Sequence, residues 1–323
     1  MDESLVTYLL ERLEVDEIIS REHIQSLWSD YGEIFKMKTN DPVRTSIIVK
    51  HISIPTRGTH PRGWDTGASN KRKIKSYEVE TNWYKIYNEK CVKFSRTANY
   101  LGSKSIDNEL VLLLEDLDEA GFSKRRSELT PTEAKSCLSW LASFHATFIN
   151  HETKGLWGTG TYWHLQTRKD EYSAMSDGSL KQFASELDER LNSCKYHTIV
   201  HGDAKVANFC FNESFDAVAV VDFQYVGKGC GMKDLTYFLG SCLNSDECFA
   251  NEAELLDFYF QELKESILEV NPHIDFNELE SEWRELYPIA WADFARFLEG
   301  WMPTHTKLND YSAEMVKRSL QML

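Results

Sequence analysis

The stretch Thr198–Gly231 reads TIVHGDAKVANFCFNESFDAVAVVDFQYVGKGCG, and the fold turns on it. His201 to Asn208 reads as a loop carrying His201, Asp203, Lys205 and Asn208, all ionisable or amide side chains. Phe209-Cys210-Phe211 then reads as a short strand, Asn212 to Asp216 as a turn, and Ala217 to Val221 as a second strand with Asp222 at its end. A hairpin of this length returns Asp222 toward Asp203 and Asn208. An acid, an amide and a second acid therefore converge on one point.

That set suits phosphoryl transfer. Asp203 would orient the proton of an attacking hydroxyl, while the amide oxygen of Asn208 and the carboxylate of Asp222 would hold Mg²⁺ against nucleotide phosphates. Hard oxygen ligands favour magnesium over zinc. Lys205, two residues after Asp203, is placed to reach the transferred phosphate and offset its charge. Gly227 to Gly231, GKGCG, lacks the following Lys-Ser or Lys-Thr of a P-loop and reads as a flexible stretch turning toward the next helix.

HGDAKVAN followed by VVDFQ resembles the catalytic and metal-binding motifs of the aminoglycoside phosphotransferase and choline kinase-like branch of the protein kinase-like fold, and within it the ecdysteroid kinase-like small-molecule phosphotransferases. HPRGW, SYEVETNWY, LLLEDLDEAGF and WADFARFLEGW resemble that group too, so the likeness runs from about residue 25 to the end. The resemblance implies an α+β, two-lobe fold, strand-rich first and helical after, using ATP and Mg²⁺. It implies Asp203 and Lys205 as catalytic residues and Asn208 and Asp222 as metal ligands. Lys50, in Ile47-Ile48-Val49-Lys50, takes the place of the strand lysine that touches the α- and β-phosphates. Glu80 takes that of its helix partner, with Glu78, on another face of the same helix, as the alternative. Leu27 to Gly32 resembles the nucleotide loop, with Gly32 its one glycine, and Glu115, Asp116 and Leu117 resemble the hinge that faces adenine. His201 would position the catalytic loop and Asp234 would brace its backbone. His145, on the apolar face of a helix, reads as a satisfied core histidine.

Outward from the motif, the organisation follows composition. Gly32 to Lys38 alternates apolar and polar residues, Asn40-Asp41-Pro42 marks a turn, and Thr45 to Ile54 is β-branched, which together predict a hairpin. Residues 55–73, PTRGTHPRGWDTGASNKRK, read as a loop, either a solvated connection or a flap near a phosphate. Residues 74–89 read as helix. Leu110 to Leu114 leads into the acidic Glu115-Asp116, giving expected bounds of 1–114 for a nucleotide-binding lobe, 115–118 for a hinge and 119–323 for a catalytic and acceptor-binding lobe. Pro131 to Asn150 has a 3.6-residue apolar period, opened by Thr130 as cap with Pro131 and Glu133 behind it. Further helices are predicted near 180–194, 231–244, 251–268 and 277–300.

The chain has 323 residues, with 36 Lys and Arg against 51 Asp and Glu for a formal charge of −15, and is 42% apolar. That length suits about two structural units, or one large one. The acidic balance argues against a nucleic-acid binder. No apolar run approaches the ~20 residues of a membrane span. The acidic N-terminus is unlike a secretory signal. Seven cysteines without a C-x-x-C pair read as reduced thiols in a cytoplasmic protein.

These observations converge on an ATP-dependent small-molecule kinase that transfers the γ-phosphoryl group to a hydroxyl. The alternatives are a nucleotide-binding pseudokinase acting as an interaction module, or nucleotidyl transfer on the same fold. The acceptor is expected to be a small neutral or cationic compound. The overall charge disfavours an anion, and the acceptor-side stretches 160–165 and 291–296 offer aromatic rings, Asp293 and Arg296 rather than an arginine cluster. Trp157, Trp163, Trp283 and Trp301 read mostly as core, and Asp293 and Arg296 either contact the acceptor or pair with each other. The basic run with Arg57, Arg62, Lys71, Arg72 and Lys73 is expected to meet nucleotide.

Overall fold

Ser46–Ser53, SIIVKHIS, is apolar at half its positions, yet in the computed structural model it is buried along nearly its whole length. The structure describes residues 3–27, 31–42, 44–53, 66–91, 95–106 and 108–323. This strand, β3, is central in a five-stranded antiparallel sheet with β1 (Ile18–Ser26), β2 (Gly32–Thr39), β4 (Tyr100–Ile106) and β5 (Glu109–Glu115), in the order β1-β2-β3-β5-β4. The β2–β3 hairpin turns at Asn40–Pro42, as the sequence predicts. Its register sets Lys50 between Ile34 on β2 and Leu112 on β5.

Side chains alternate across the sheet. Phe35, Met37, Ile47, Val49, Val111 and Leu113 face α1 (Glu3–Leu13), which covers them with Leu5, Leu9 and Leu13, one residue per helical turn. The opposite face, with Ile48, Lys50, Ile52, Leu112 and Leu114, looks toward α2 (Thr66–Ile86) and the rest of the chain.

The start of α2 corrects the sequence reading. Residues 54–65 of the expected loop, with Arg57 and Arg62, lie outside the described residues, but 66–73 form the first two turns of α2. Gly67 and Asn70 argue against helix on propensity alone. Tertiary bonds override this: Asn70 accepts from the Tyr31 hydroxyl, Arg72 donates to the Thr167 carbonyl (2.8 Å) and Lys73 to Gln224 (3.0 Å). Lys71, Arg72 and Lys73 are therefore helix residues aimed from a fixed frame.

After β5 the chain is helical: α3 (Pro131–Thr147), α4 (Lys169–Ala174), α5 (Ser179–Gln182), α6 (Ala184–Asn192), α7 (Met232–Cys242), α8 (Ser245–Val270), α9 (Phe276–Trp301) and α10 (Asp310–Leu320). The capping box at α3 is present. The Glu133 N–H donates to Thr130 Oγ1 (3.2 Å) and the Thr130 N–H to Glu133 Oε2 (2.8 Å). α3 lies along α8, while α9 contacts α4, α6, α7 and α10.

Two short hairpin-like pairs carry the motif: β6 (Thr198–Val200) with β9 (Gly227–Gly229), and β7 (Phe209–Phe211) with β8 (Val218–Val220). The glycine-rich GKGCG is thus a strand start rather than a flexible stretch. A Cβ at Gly227 would overlap the Trp157 carbonyl oxygen, so glycine is there for close packing. The fold is α+β with two lobes, as expected. All seven cysteines are free thiols, and all but Cys91 are buried. Among the described residues no helix is long and apolar enough to cross a membrane.

Candidate active site

The catalytic loop is built on Asp234, fully buried in the first turn of α7. Its carboxylate accepts from the backbone N–H groups of His201 (2.5 Å) and Gly202 (2.9 Å), and lies 3.2 Å from His145 Nε2. The other His145 ring nitrogen lies 2.7 Å from the Tyr259 hydroxyl, so His145 is a core histidine with both ring nitrogens partnered. Gly202 has φ +79°, and a Cβ there would overlap the Tyr225 carbonyl oxygen and crowd Thr161 N. Gly202→Ala is expected to cost ~1–3 kcal/mol in strain, read as a lowered Tm. An unchanged Tm would show that the loop relaxes freely.

His201 links the two halves of the motif. Its Nδ1 accepts from the Asp203 N–H (3.2 Å) and its Nε2 donates to the Val221 carbonyl (3.0 Å), a network that assigns the proton to Nε2. The ring also stands 4.6 Å from that of Phe223, which stacks on Trp83 of α2 (4.6 Å, 12°). The segment that bears Asp222 is thereby wedged between the catalytic loop and α2.

Asp203, Asn208 and Asp222 meet as the hairpin predicts. The β7–β8 ladder pairs Phe209 with Val220, and the Val221 N–H donates to the Asn208 carbonyl (3.1 Å). Asn208 Nδ2 donates to the Asp203 carbonyl (2.8 Å) and to Asp203 Oδ2 (3.3 Å). Lys205 Nζ lies 3.1 Å from the same Oδ2. Asp222 sits in the left-handed region at φ +70°, a conformation aspartate tolerates better than most residues. It turns its carboxylate toward Lys50, 3.6 Å away.

Lys50 and Glu80 are both buried and form a 2.7 Å ion pair. Glu78 is exposed and pairs with Lys75 (3.5 Å), so it is not the partner. Burial works against the Lys50 charge, but Glu80 and Asp222 outweigh it and raise its pKa. The two aspartates are driven apart. Burial raises the Asp203 pKa against the pull of Lys205. For Asp222 the burial penalty is overcome by Lys50, Lys205 and Lys73, which hold its carboxyl below the ordinary range. One site thus holds one carboxyl inclined to take a proton and one fixed as a carboxylate.

Gln224, absent from the sequence reading of this site, and Lys73, expected there only as one of a basic run meeting nucleotide, complete it. Gln224 Nε2 donates to Asp222 Oδ1 (2.6 Å), while its Oε1 accepts from Lys73 Nζ (3.0 Å) and Ser76 (3.1 Å). Lys73 is a second cation beside Lys50, its pKa lowered to about 8 by burial and by Lys50. The signal for Gln224 was its place two residues after Asp222. For Lys73 the signal was its basic run, read as a loop rather than as the start of α2.

The donor set fits a hard divalent cation. Both Asn208 amide protons are directed at Asp203, and among the described residues its Oδ1 takes no hydrogen bond. No three His, Cys, Asp or Glu residues gather as a metal cage among the described residues. That suits magnesium, which keeps water and phosphate oxygens in its shell.

The remaining predicted positions are placed as follows. Gly32 (φ +122°) opens β2 against the His51 carbonyl, and the Leu27 N–H donates to its carbonyl (2.7 Å); Trp28 to Asp30 of the expected nucleotide loop lie outside the described residues. The Glu115 carboxylate is bound twice by Arg96 (2.6 Å each), and the Glu115 N–H donates to the Asn99 carbonyl (3.0 Å). Leu117 gives its carbonyl to the Phe122 N–H (2.8 Å). Asp116 is buried and paired with Lys36 (2.9 Å). Asp293 and Arg296 are fully buried and bonded to each other (2.8 Å) and to Trp163, so they brace the core and do not line the acceptor side. Trp163 and Trp283 are core, as expected, while Trp157 and Trp301 are half-buried.

Comparison with known proteins agrees with this fold. The model of the ecdysteroid kinase-like family matches residues 38–155 and 159–271. Among solved structures, the chain is similar in fold to the amicoumacin kinase hAmiN in complex with AMP-PNP, Ca²⁺ and Ami: 13% identity, TM-score 0.53, covering 99% of this chain and 92% of that one. It is similar also to choline kinase from Cryptosporidium parvum Iowa II: 12% identity, TM-score 0.54, covering 99% and 95%. A search of curated proteins finds no match.

Proposed function

Because the chain belongs to the ecdysteroid kinase-like family, we propose that it is an ATP-dependent kinase that moves the γ-phosphoryl group to a hydroxyl of a small organic compound. The observation that carries this is the opposed pair of carboxylates. Asp203 and Asp222 share one small site but are pushed to opposite protonation behaviour, with the Lys50–Glu80 pair directly behind. The hAmiN complex with a nucleotide analogue and Ca²⁺ supports nucleotide and divalent-metal use here.

In this reading Asp203 orients the acceptor hydroxyl and takes its proton as the oxygen bonds to the γ-phosphorus and ADP leaves. Lys205 offsets negative charge on the phosphoryl oxygens beside it. Asn208 and Asp222 would hold Mg²⁺, which when bound neutralises phosphate charge. Lys50, fixed by Glu80, positions the α- and β-phosphates, with Gly32 at the start of β2 on the nucleotide side. The Glu115 and Leu117 backbone faces adenine, with residues 1–114, 115–118 and 119–323 as nucleotide lobe, hinge and acceptor lobe. The seven free thiols support a cytoplasmic setting.

Lys73 extends the nucleotide site. Lys73→Met is expected to weaken nucleotide binding about tenfold, the worth of one charge-assisted hydrogen bond, while the Tm stays close to wild type. Calorimetric titration with AMP-PNP and Mg²⁺ measures this, and equal affinities would remove Lys73 from the site.

The function itself is tested by Mg²⁺-dependent ATP consumption across a panel of hydroxyl compounds, with product mass read alongside. A gain of one phosphoryl group supports the proposal. A gain of a nucleotidyl group supports nucleotidyl transfer. Tight nucleotide binding with no consumption supports a pseudokinase.

A further inference from the structure

Beside Asp203 the helical lobe presents a wall of rings. Trp163, Tyr237, Phe294 and Phe297 are buried as one cluster, with Tyr162 and Trp301 packed against it. Tyr237 meets Phe294 edge to face (5.0 Å, 73°) and Tyr162 likewise (5.6 Å, 70°). The Tyr237 hydroxyl lies beside the Asp203 carboxylate; burial, and then that negative charge, push its pKa up. Such a wall would hold a cationic acceptor by cation–π attraction. The chain fills that place itself. Lys307, between α9 and α10, sets its Nζ 4.5 Å from the Tyr237 ring centroid and 5.6 Å from that of Phe294.

A second cation on the wall, Arg168, is already committed. It pairs with buried Glu171 (3.0 Å) and donates to the Tyr162 carbonyl. The Lys307 ammonium is not committed: among the described residues it has neither a carboxylate at ion-pair distance nor a hydrogen-bond acceptor. A lysine that merely shields rings carries its ammonium out to water. Here the amine is held in the field of the catalytic loop. Asp203 favours its charge, Lys205 opposes it, the Cys242 thiol at the end of α7 faces it as well, and burial dominates, bringing the pKa down to about 8.

We propose that Lys307 is the specificity-determining residue for the acceptor, receiving a carboxylate on a ring-bearing hydroxy acid whose apolar body lies against the aromatic wall. This rests on the kinase reading above. It departs from the sequence expectation of a neutral or cationic acceptor, which weighed net charge and had no means of placing Lys307 on the rings. A quaternary ammonium acceptor is excluded because its site is occupied by a like charge.

The test uses the full chain with AMP-PNP and Mg²⁺, and three para-substituted probes of one shape: hydroxymethylbenzoate, hydroxymethylbenzamide and hydroxymethylphenyl-trimethylammonium. Affinities are measured by ligand-observed NMR at constant ionic strength. The benzoate is expected to bind about tenfold more tightly than the amide, the worth of one charge-assisted hydrogen bond. This preference should fade as pH rises through the Lys307 pKa of about 8, since the ammonium loses its proton there. Lys307→Arg should keep the ranking. Lys307→Met should reverse it in favour of the trimethylammonium probe, because the like charge over the rings is then gone, a reversal that loss of a shielding lysine from an ordinary surface would not produce. Equal binding of the three probes, no binding of the benzoate, or an unchanged ranking in Lys307→Met overturns the assignment. AMP-PNP binding, titrated in the same samples, separates the two readings: its loss would remove the kinase proposal, and its retention without a benzoate preference removes Lys307 alone.

Discussion

Asp222→Ala is expected to abolish Mg²⁺-dependent ATP turnover, by roughly 10³-fold or more, while the protein stays folded. Three features of the site make the loss this large. Asp222 is the one carboxylate there held firmly ionised, with Lys50, Lys205 and Lys73 all acting against its protonation. It is clamped in place by Gln224 (2.6 Å), so its contribution to a metal site is pre-organised. Its removal also leaves Lys50 and Lys73 facing each other with Glu80 and, for Lys73, Asp203 to compensate. Some stability is lost as well, since alanine tolerates φ +70° less well than aspartate, at a cost of ~1–2 kcal/mol. Asp222→Asn separates the two effects. Asparagine accepts the same backbone and offers Gln224 the same oxygen, but it lacks the charge. The asparagine variant should therefore lose less Tm than Asp222→Ala, since it keeps the backbone and the Gln224 bond and forfeits only the charge facing the lysines, and it should still lose turnover. Wild-type turnover in Asp222→Asn would sink the metal assignment.

The parts of this site that were legible in the sequence are those whose geometry is local. Asp203, Asn208 and Asp222 lie on one hairpin, so a strand-turn-strand pattern suffices to bring them together, and the structure pairs Phe209 with Val220 as that pattern requires. The α3 capping box is equally local, three residues long. The Lys50–Glu80 contact spans 30 residues and two elements, and came only from the resemblance. What the sequence hid has a common cause. Residues 66–73 have loop composition, and their helix is held by bonds to Tyr31, Thr167 and Gln224, which no local pattern contains. The helical frame that aims Lys73 was hidden with them. Asp293 and Arg296 left two readings open, acceptor contact or mutual pairing, because their one-turn spacing does not reveal which face of α9 is buried; the structure pairs them. Both turned out fully buried, next to Lys233. Lys307 lies in an irregular connection with no periodicity, so nothing in its neighbourhood foretold that it would cover Tyr237.

Asp203→Asn is expected to separate binding from chemistry. Asparagine can still accept from Lys205 and from Asn208 Nδ2, the two donors now held by Asp203 Oδ2, so the loop keeps its shape. Its backbone anchors are untouched, because Asp234 binds the N–H groups of His201 and Gly202 and not the Asp203 side chain. AMP-PNP affinity should therefore stay within a few fold of wild type. Turnover should fall by roughly 10²-fold or more, the usual worth of a positioned proton acceptor, because an amide has no basic oxygen to take the hydroxyl proton. Lys50→Ala should behave in the opposite way. It leaves Glu80 buried without its 2.7 Å partner and withdraws a cation from the phosphates, so nucleotide affinity and rate should fall together. Titrating both variants with AMP-PNP and Mg²⁺ beside an ATP-consumption assay checks the division. If both lose nucleotide binding equally, Asp203 belongs to the nucleotide site and not to the acceptor. If Asp203→Asn keeps wild-type turnover, the proton goes elsewhere, and Tyr237, whose hydroxyl lies beside that carboxylate, becomes the residue to replace next.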